Sequence, residues 1–391
     1  MKFAHIADCH LGCWRQKEMQ QANLEAFNKT IDRCILEKVD FILIAGDFFD
    51  NAIPNIDILK KATENLKKLH DNNIPCFVVP GSHDYSVSGK TMLHVLEKAG
   101  MLIDVTNPFE TNDYFIAGIG GERKGIEMNK IHSFKAEPSN KNKLKILALH
   151  TTINEMEMPF QGIPLNELPR GFDYYALGHI HRKKIFTNEK FSAAYPGALF
   201  PCSFSELEEE KKGNFLIVEY DNGAIQKIRE IDVKIKDVES FKINADNETP
   251  QSLNQKIIEQ VTNVDIRDKI VLIRIEGILA SGKISDLNIK NIENEILSKG
   301  AYSILRNTNK LITKEFEIAE KEFNMNFESI SAIENNIISE MIKQKIIEEH
   351  EREKVLMLMA CLDTEKTEGE NNDSFEERLN EEIAKKLGLE L

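Results

Sequence analysis

Residues 2–12 read KFAHIADCHLG. A strand-like run ends on Asp8 and His10, two residues apart, before Gly12. Side chains two apart on a strand share a face, so the stretch predicts a strand whose C-terminal end offers a carboxylate and an imidazole to one side. Moving outward, FILIAGD (41–47) ends on Gly46-Asp47, and CFVVPGSHD (76–84) on Ser82, His83 and Asp84. KILALH (145–150) ends on His150, and DYYALGHIH (173–181) on His179 and His181. Helix-like patterns over 18–38, 55–72 and 90–99 separate the early strands, which predicts α/β layering. Loops at the C-terminal edge of such layers converge on one site.

From 101 onward the strand candidates MLIDV, YFIAGIG, KILALH, DYYALGH and FLIVEY have few long helices between them. They predict a second sheet packed on the first, a two-sheet α/β sandwich over residues 1–222. Residues 223–312 read as a small α/β unit, with a helix at 250–262, the strand IVLIRIEG, a helix at 286–298 and the strand AYSILR. Beyond 313 the strand signal ends. Ile330, Ile333, Ile337 and Met341 recur at helical spacing, VLMLMACL (355–362, with Leu356 and Leu358) follows, and the polar stretch 365–374 reads as a linker. Ser374 and Glu377 form a capping-box pattern that opens a last helix.

At 391 residues the chain exceeds one typical core. It has no apolar run of the roughly 18 residues that a membrane span needs, and its first residues enter the motif at once, so neither a membrane span nor a signal peptide is expected and a cytoplasmic protein is. Six cysteines without a CxxC pair read as reduced thiols. A formal net charge of −14 argues against a protein that coats nucleic acid by charge, but not against one that grips phosphate through bound cations.

Any one of these histidine patterns alone reads as an ordinary histidine. Five in order, all at strand ends, predict a dinuclear metal site. A carboxylate can bridge two cations, and the isolated Asp47 suits that part. Mixed imidazole and carboxylate donors favour manganese, iron or zinc over magnesium. Two such cations roughly 3.5 to 4 Å apart can hold a water and a phosphate oxygen together for phosphodiester hydrolysis.

DCHLG, GDFFD, GSHD, LALH and GHIH, in this order, resemble the calcineurin-like metallophosphoesterase superfamily, whose signature runs DxH, GD, GNH(D/E), H, GHxH. Within it, HIADCHLG, YYALGHIHRKK, YPGALFPCSFSELEEEKKG, the second α/β unit and the helical tail resemble the Mre-eleven/SbcD-type nucleases of double-strand break repair. The resemblance implies an α/β/β/α sandwich with a small capping domain that binds DNA. It also implies a first metal held by Asp8, His10, Asp47 and His181, and a second by Asp47, His150, His179 and the residue at Ser82. His83 would approach the scissile phosphate, with Asp84 as its partner carboxylate. Two Mn²⁺ per chain, a homodimer, DNA ends and an SMC-like coiled-coil ABC ATPase are the implied cofactors and partners.

Two positions depart from the family pattern. Serine stands at 82 where asparagine is usual, and Asp50 stands where many of these nucleases have histidine. Arg182, Lys183 and Lys184 directly follow the metal histidines and could grip DNA phosphates, as could the basic residues of 123–145, which read equally as a solvated loop. The tail stripe either folds back on the second domain or binds the ATPase, with Ile330, Ile333, Ile337, Met341, Leu356 and Leu358 as the contact residues. Three functions stand open: a manganese-dependent endo/exonuclease, a nuclease-weakened scaffold that activates the ATPase, and a phosphodiesterase of small nucleotides.

Overall fold

A computed structural model of the chain describes residues 1–86, 89–121, 127–136, 138, 143–158, 162–314, 330–343, 346–362 and the single positions 379, 383 and 384. Residues 1–311 form one compact unit and 312–391 a second.

The first unit is built on β1 (Lys2–Ile6), which pairs in parallel with β2 (Phe41–Ala45); β3 (Cys76–Val79) and the short β4 (Ile103–Asp104) extend the sheet. On the other side of β1, β11 (Gly213–Asp221) and β12 (Ala224–Val233) add antiparallel strands. A second six-stranded sheet runs β5 (Phe109–Glu110), β6 (Tyr114–Ile119), β7 (Leu144–His150), β8 (Tyr174–Gly178), β10 (Ser192–Tyr195) and β9 (Lys184–Thr187).

FILIA and KILALH are apolar along their whole length because both faces of their sheets are covered. Phe41, Leu43 and Ala45 of β2 face a core shared with Ile146 and Ala148 of β7, between the two sheets. Ile42 and Ile44 point the other way, toward Ala26, Phe27 and Ile31 of α1 (Lys17–Glu37) and Leu66 of α2 (Ile56–Asp71). Leu147 and Leu149 close the outer face of the second sheet with Ile153 and Tyr195. Ile131 of the helix Glu127–Ser133 packs on that outer face, so the layers are α/β/β/α.

Three expectations are corrected. MLIDV and FLIVEY, assigned to the second sheet by their order in the chain, belong to the first: β4 pairs with β3, and β11 with β1. The boundary drawn at 222/223 falls inside a hairpin, because β12 completes the first sheet through its ladder with β11. The following α/β part, with β13 (Val238–Asn244), α6 (Pro250–Thr262), β14 (Ile270–Leu279), α7 (Ile289–Ser298) and β15 (Ser303–Thr313), is not set apart from the sandwich. Its helices cover one face of a three-stranded sheet. From the same sheet Val238, Ile270, Leu272 and Leu305 enter the core that α1 covers. The join is reinforced by Arg274, whose guanidinium donates to both oxygens of Glu208 on α5 (Phe204–Glu210) at 2.6–3.1 Å.

The second unit holds α8 (Ile330–Lys343) and α9 (Arg352–Leu362), tied by a bond from Arg352 Nη2 to Ser339 Oγ at 3.0 Å. Among the described side chains of α8, Ile338 is buried and Ile337 is 48% exposed. Met341, Leu356 and Leu358 are half-buried, and the side chains of Ile330 and Ile333 lie outside the described residues. The linker 365–374 and most of the expected last helix also lie outside them.

Candidate metal centre

β1, β2, β7 and β8 all end at one edge, and the residues at or just past their ends carry the chemistry. Asp8, His10, Asp47 and His179 have φ values of 50°, 40°, 46° and 92°. Non-glycine residues seldom adopt this left-handed region, at a cost of about 1–3 kcal/mol each, and hold it only where the surroundings over-determine it. Here they do. Asp8 N donates to the Gly46 carbonyl at 3.2 Å, and His10 N to that of Asp47 at 2.9 Å. Asn23, on the buried face of α1, clamps the loop after β1 through the Cys9 carbonyl and the Gly12 amide, both at 3.0 Å. Strand alternation is thus not what aims Asp8 and His10, since both lie beyond β1 and the turns aim them. The alternation argument fails likewise for His179 and His181, which reach different groups.

Asp8, His10 and His181 form one group with ligand atoms within 4.8 Å of one another, and Asp47, His150 and His179 form a second. His10 Nε2 and His181 Nε2 face each other at 3.2 Å. Asp47 Oδ2 lies 3.1 Å from His150 Nε2 and 3.5 Å from His10 Nε2, so one carboxylate oxygen addresses both groups. Side chains at Gly46 and Gly81 would collide with the His150 ring and the Asp47 carboxylate, which is why glycines border the centre. A cation pair fits this donor set. His150 Nε2 is buried and, although close to Asp47, not directed at it as a hydrogen bond, and two imidazole nitrogens are turned toward one point.

The holders of these ligands differ. His150 Nδ1 is fixed by the Ala45 carbonyl at 3.1 Å. The Asp8 carboxylate accepts the His179 amide at 3.0 and 3.1 Å. His181 Nδ1 instead meets a carboxylate, Glu206 Oε2, at 3.1 Å, and His10 Nδ1 lies 3.3 Å from Asp50 Oδ1. In the sequence Asp50 stands out only as a departure from the family pattern, and Glu206 only as one residue of the stretch YPGALFPCSFSELEEEKKG. Its one signal was Ser203-x-x-Glu206, a capping box opening α5: Glu206 N donates to Ser203 Oγ, and the Glu206 carboxylate accepts from Ser203 Oγ at 3.0 Å and Cys202 N at 2.9 Å.

His83 is half exposed at the rim. Its amide donates to Asp47 Oδ1 at 2.8 Å, and its ring Nδ1 meets the Asp50 carbonyl at 2.9 Å. Asp84 does not partner that ring. Its buried carboxylate accepts the amides of Phe48 (3.1 Å), Phe49 (2.9 Å) and Gly81 (2.9 Å), bracketing the Asp47 loop to the Ser82-His83 loop. The expected catalytic part for Asp84 is corrected to a positioning one. Ser82 sits half-buried in the same turn.

Burial strips water from the centre, and the pairs then set the charges. Burial would raise Asp47, yet His150 and His10 hold it well below the carboxylate range. Burial would lower His150 and His181, but Asp47 brings His150 up to about 10, and Glu206 with Asp8 brings His181 up to about 9. His179 is lowered to about 4 by burial and by its neighbour His150. Burial raises Asp84 to about 6 despite its three amides, with Asp47 adding to the rise.

The basic residues divide. Lys183 is paired with Glu230 at 2.6 Å, Arg182 lies beside the Met158 sulfur, and Lys184 is exposed on β9. In the 123–145 stretch, Lys143 is buried against Glu110 at 2.7 Å and Lys145 pairs with Asp173 at 3.3 Å, so these two serve the fold. Arg123, Lys124 and Lys141 lie outside the described residues.

A family model described as "Calcineurin-like phosphoesterase" matches residues 1–183. Proteins named "DNA double-strand break repair protein Mre11" are similar along more of the chain. That of Methanocaldococcus jannaschii is 31% identical over 66% of this chain and 75% of its own length. That of Sulfurisphaera tokodaii is 28% identical over 99% and 97%, and that of Archaeoglobus fulgidus 27% identical over 68% and 66%.

Proposed function

Because this chain belongs to the Mre11 family of calcineurin-like phosphoesterases, we propose that it is a DNA endo/exonuclease that acts at double-strand breaks. The observation that carries the reading is the pair of histidine-carboxylate groups sharing Asp47 at the edge of this fold. Their donors suit two divalent cations, proposed as manganese, which when bound supply Lewis acidity and an activated water. Asp8, His10, Asp47 and His181 would hold the first. Asp47, His150 and His179 would hold the second, with the Ser82 hydroxyl contributing directly or through a water.

The chain's own groups do the rest. His83 stands at the open rim, and its Nδ1 donates to the Asp50 carbonyl, which leaves Nε2 as the atom able to exchange a proton with the leaving oxygen. Asp84 keeps the His83 and Asp47 loops in register. Lys184 and Arg182 are proposed phosphate contacts; Lys183 would have to leave Glu230 to join them. The apolar side chains exposed on the second unit, Ile337, Ile346 and Met357, support partner binding there. The proposed partner is the coiled-coil of an SMC-like ABC ATPase, with Ile330, Ile333, Met341, Leu356 and Leu358 completing the surface. A homodimer is the proposed assembly. Among the described residues no helix is long and apolar enough to cross a membrane.

Serine at 82 supports a second reading, in which the second cation is held too weakly for turnover and the chain serves as a scaffold for the ATPase. Purified chain incubated with Mn²⁺ and linear or single-stranded DNA separates them. The nuclease reading expects cleavage that a chelator and Asp47→Ala each abolish. DNA left intact with and without the ATPase, while the two proteins still bind each other, favours the scaffold.

A further inference from the structure

His181 and His10 present Nε2 atoms to the same point, 3.2 Å apart, so the first cation position depends on how each ring is turned. A ligating imidazole is aimed by whatever holds its other nitrogen, and carboxylates in that place also strengthen it as a donor. On His181 that place is occupied by Glu206 Oε2, 3.1 Å from Nδ1. Glu206 is itself fixed by three hydrogen bonds to two residues. Cys202 N and Ser203 Oγ bond its carboxylate, and its own amide is bonded to Ser203 Oγ. The helix that bears it is anchored two residues further on by Glu208 and Arg274. The Glu206 side chain is only 28% exposed. Asp50 Oδ1 stands in the corresponding place on His10, 3.3 Å from its Nδ1.

We propose that Glu206 is a positioning residue for the first cation, orienting the His181 ring and leaving Nε2 as the metal donor. This rests on the reading of Asp8, His10, Asp47 and His181 as that cation's ligands. It gives α5 a part in the centre, although the acidic run ELEEE (206–210) looks like solvated surface. It also divides the labour within that run: Glu206 faces the metal histidine, and Glu208 faces the small α/β part.

Calorimetric titration of Mn²⁺ into the full chain, stripped of metal beforehand, tests it. Glu206→Gln keeps the bulk and removes the charge. It is expected to loosen one of the two cations by about tenfold, and Glu206→Ala by up to about 100-fold, with the other cation held as in the wild type. Glu206→Gln should still melt in one cooperative transition in chelator, so that it is folded before metal is added, and the visible spectrum of Co²⁺ bound at the loosened position should change. His181→Ala is the reference. If it loses one cation while Glu206→Gln binds both as tightly as the wild type, with an unchanged Co²⁺ spectrum, the part given to Glu206 is wrong. If His181→Ala itself keeps both cations, the ligand set proposed above is what fails.

Discussion

The two halves of the centre hold their ligands by different means. In the second group the backbone does it: His150 is pinned by the Ala45 carbonyl, buried under glycines, and set by the packing of the two sheets. In the first group the Asp8 carboxylate accepts a backbone amide, but side chains stand behind both imidazoles, Glu206 behind His181 and Asp50 behind His10. Backbone support makes a ligand rigid but adds no charge, whereas carboxylate support adds negative charge next to the cation. The first position should therefore bind more tightly. The second has Ser82 where the family pattern has an amide, which widens the gap.

Removing what the halves share should have the largest effect. Asp47→Ala should cost both cations and reduce DNA cleavage by more than the roughly 100-fold that losing an outer partner of a ligand costs. Cleavage assays and metal analysis check it, and retention of one full cation would mean that Asp47 serves a single group. Next is the bracket that keeps the halves in register. Asp84→Ala leaves three amides without their acceptor and should lower stability by about 3 kcal/mol or more, read from denaturant unfolding. A loss under 1 kcal/mol would show that the loops hold themselves. Ser82→Asn should tighten the weaker cation by about tenfold, the low end of what a ligand's neighbours contribute, and leave the tighter one alone. Equal changes at both positions would contradict the asymmetry.

pH should act through the imidazoles of both halves at once. His150 and His181 are raised to about 10 and 9 in the metal-free fold. Their contribution to stability is therefore full below about 6.5 and is lost as pH rises through 9 to 10. Cation uptake must release these protons, so affinity should rise over the same interval. His179, lowered to about 4, acts with the opposite sign but below that interval. Melting of metal-free protein from pH 7 to 10, beside Mn²⁺ titrations at the same values, checks both trends. A flat affinity would mean that these imidazoles are neutral before metal binds.

The same contrast explains how much could be read from the sequence. The strands of the inner layers were legible because KFAHI, FILIA and KILALH are apolar runs that end in chemistry-bearing residues. The ligand positions were legible because strand ends meet at one edge. Why they converge was not, since the left-handed backbone at Asp8, His10, Asp47 and His179 leaves no mark in residue type. Sheet membership was hidden at β4, which continues the first sheet directly after β3, and at β11 and β12, which return to that sheet after the second is complete. Glu206 was hidden by distance, 25 residues from His181 in an acidic run, with only the capping serine to single it out. Asp84 was found but given the wrong part, because adjacency to His83 in sequence does not fix which way a carboxylate turns.

The asymmetric centre is tested most directly by titrating metal-free chain with Mn²⁺ and following heat and DNA cleavage together. Two cations per chain are expected, bound with clearly separated affinities, with cleavage that appears only as the weaker one fills. A single cation that saturates with full cleavage, or two of equal affinity, would contradict that expectation.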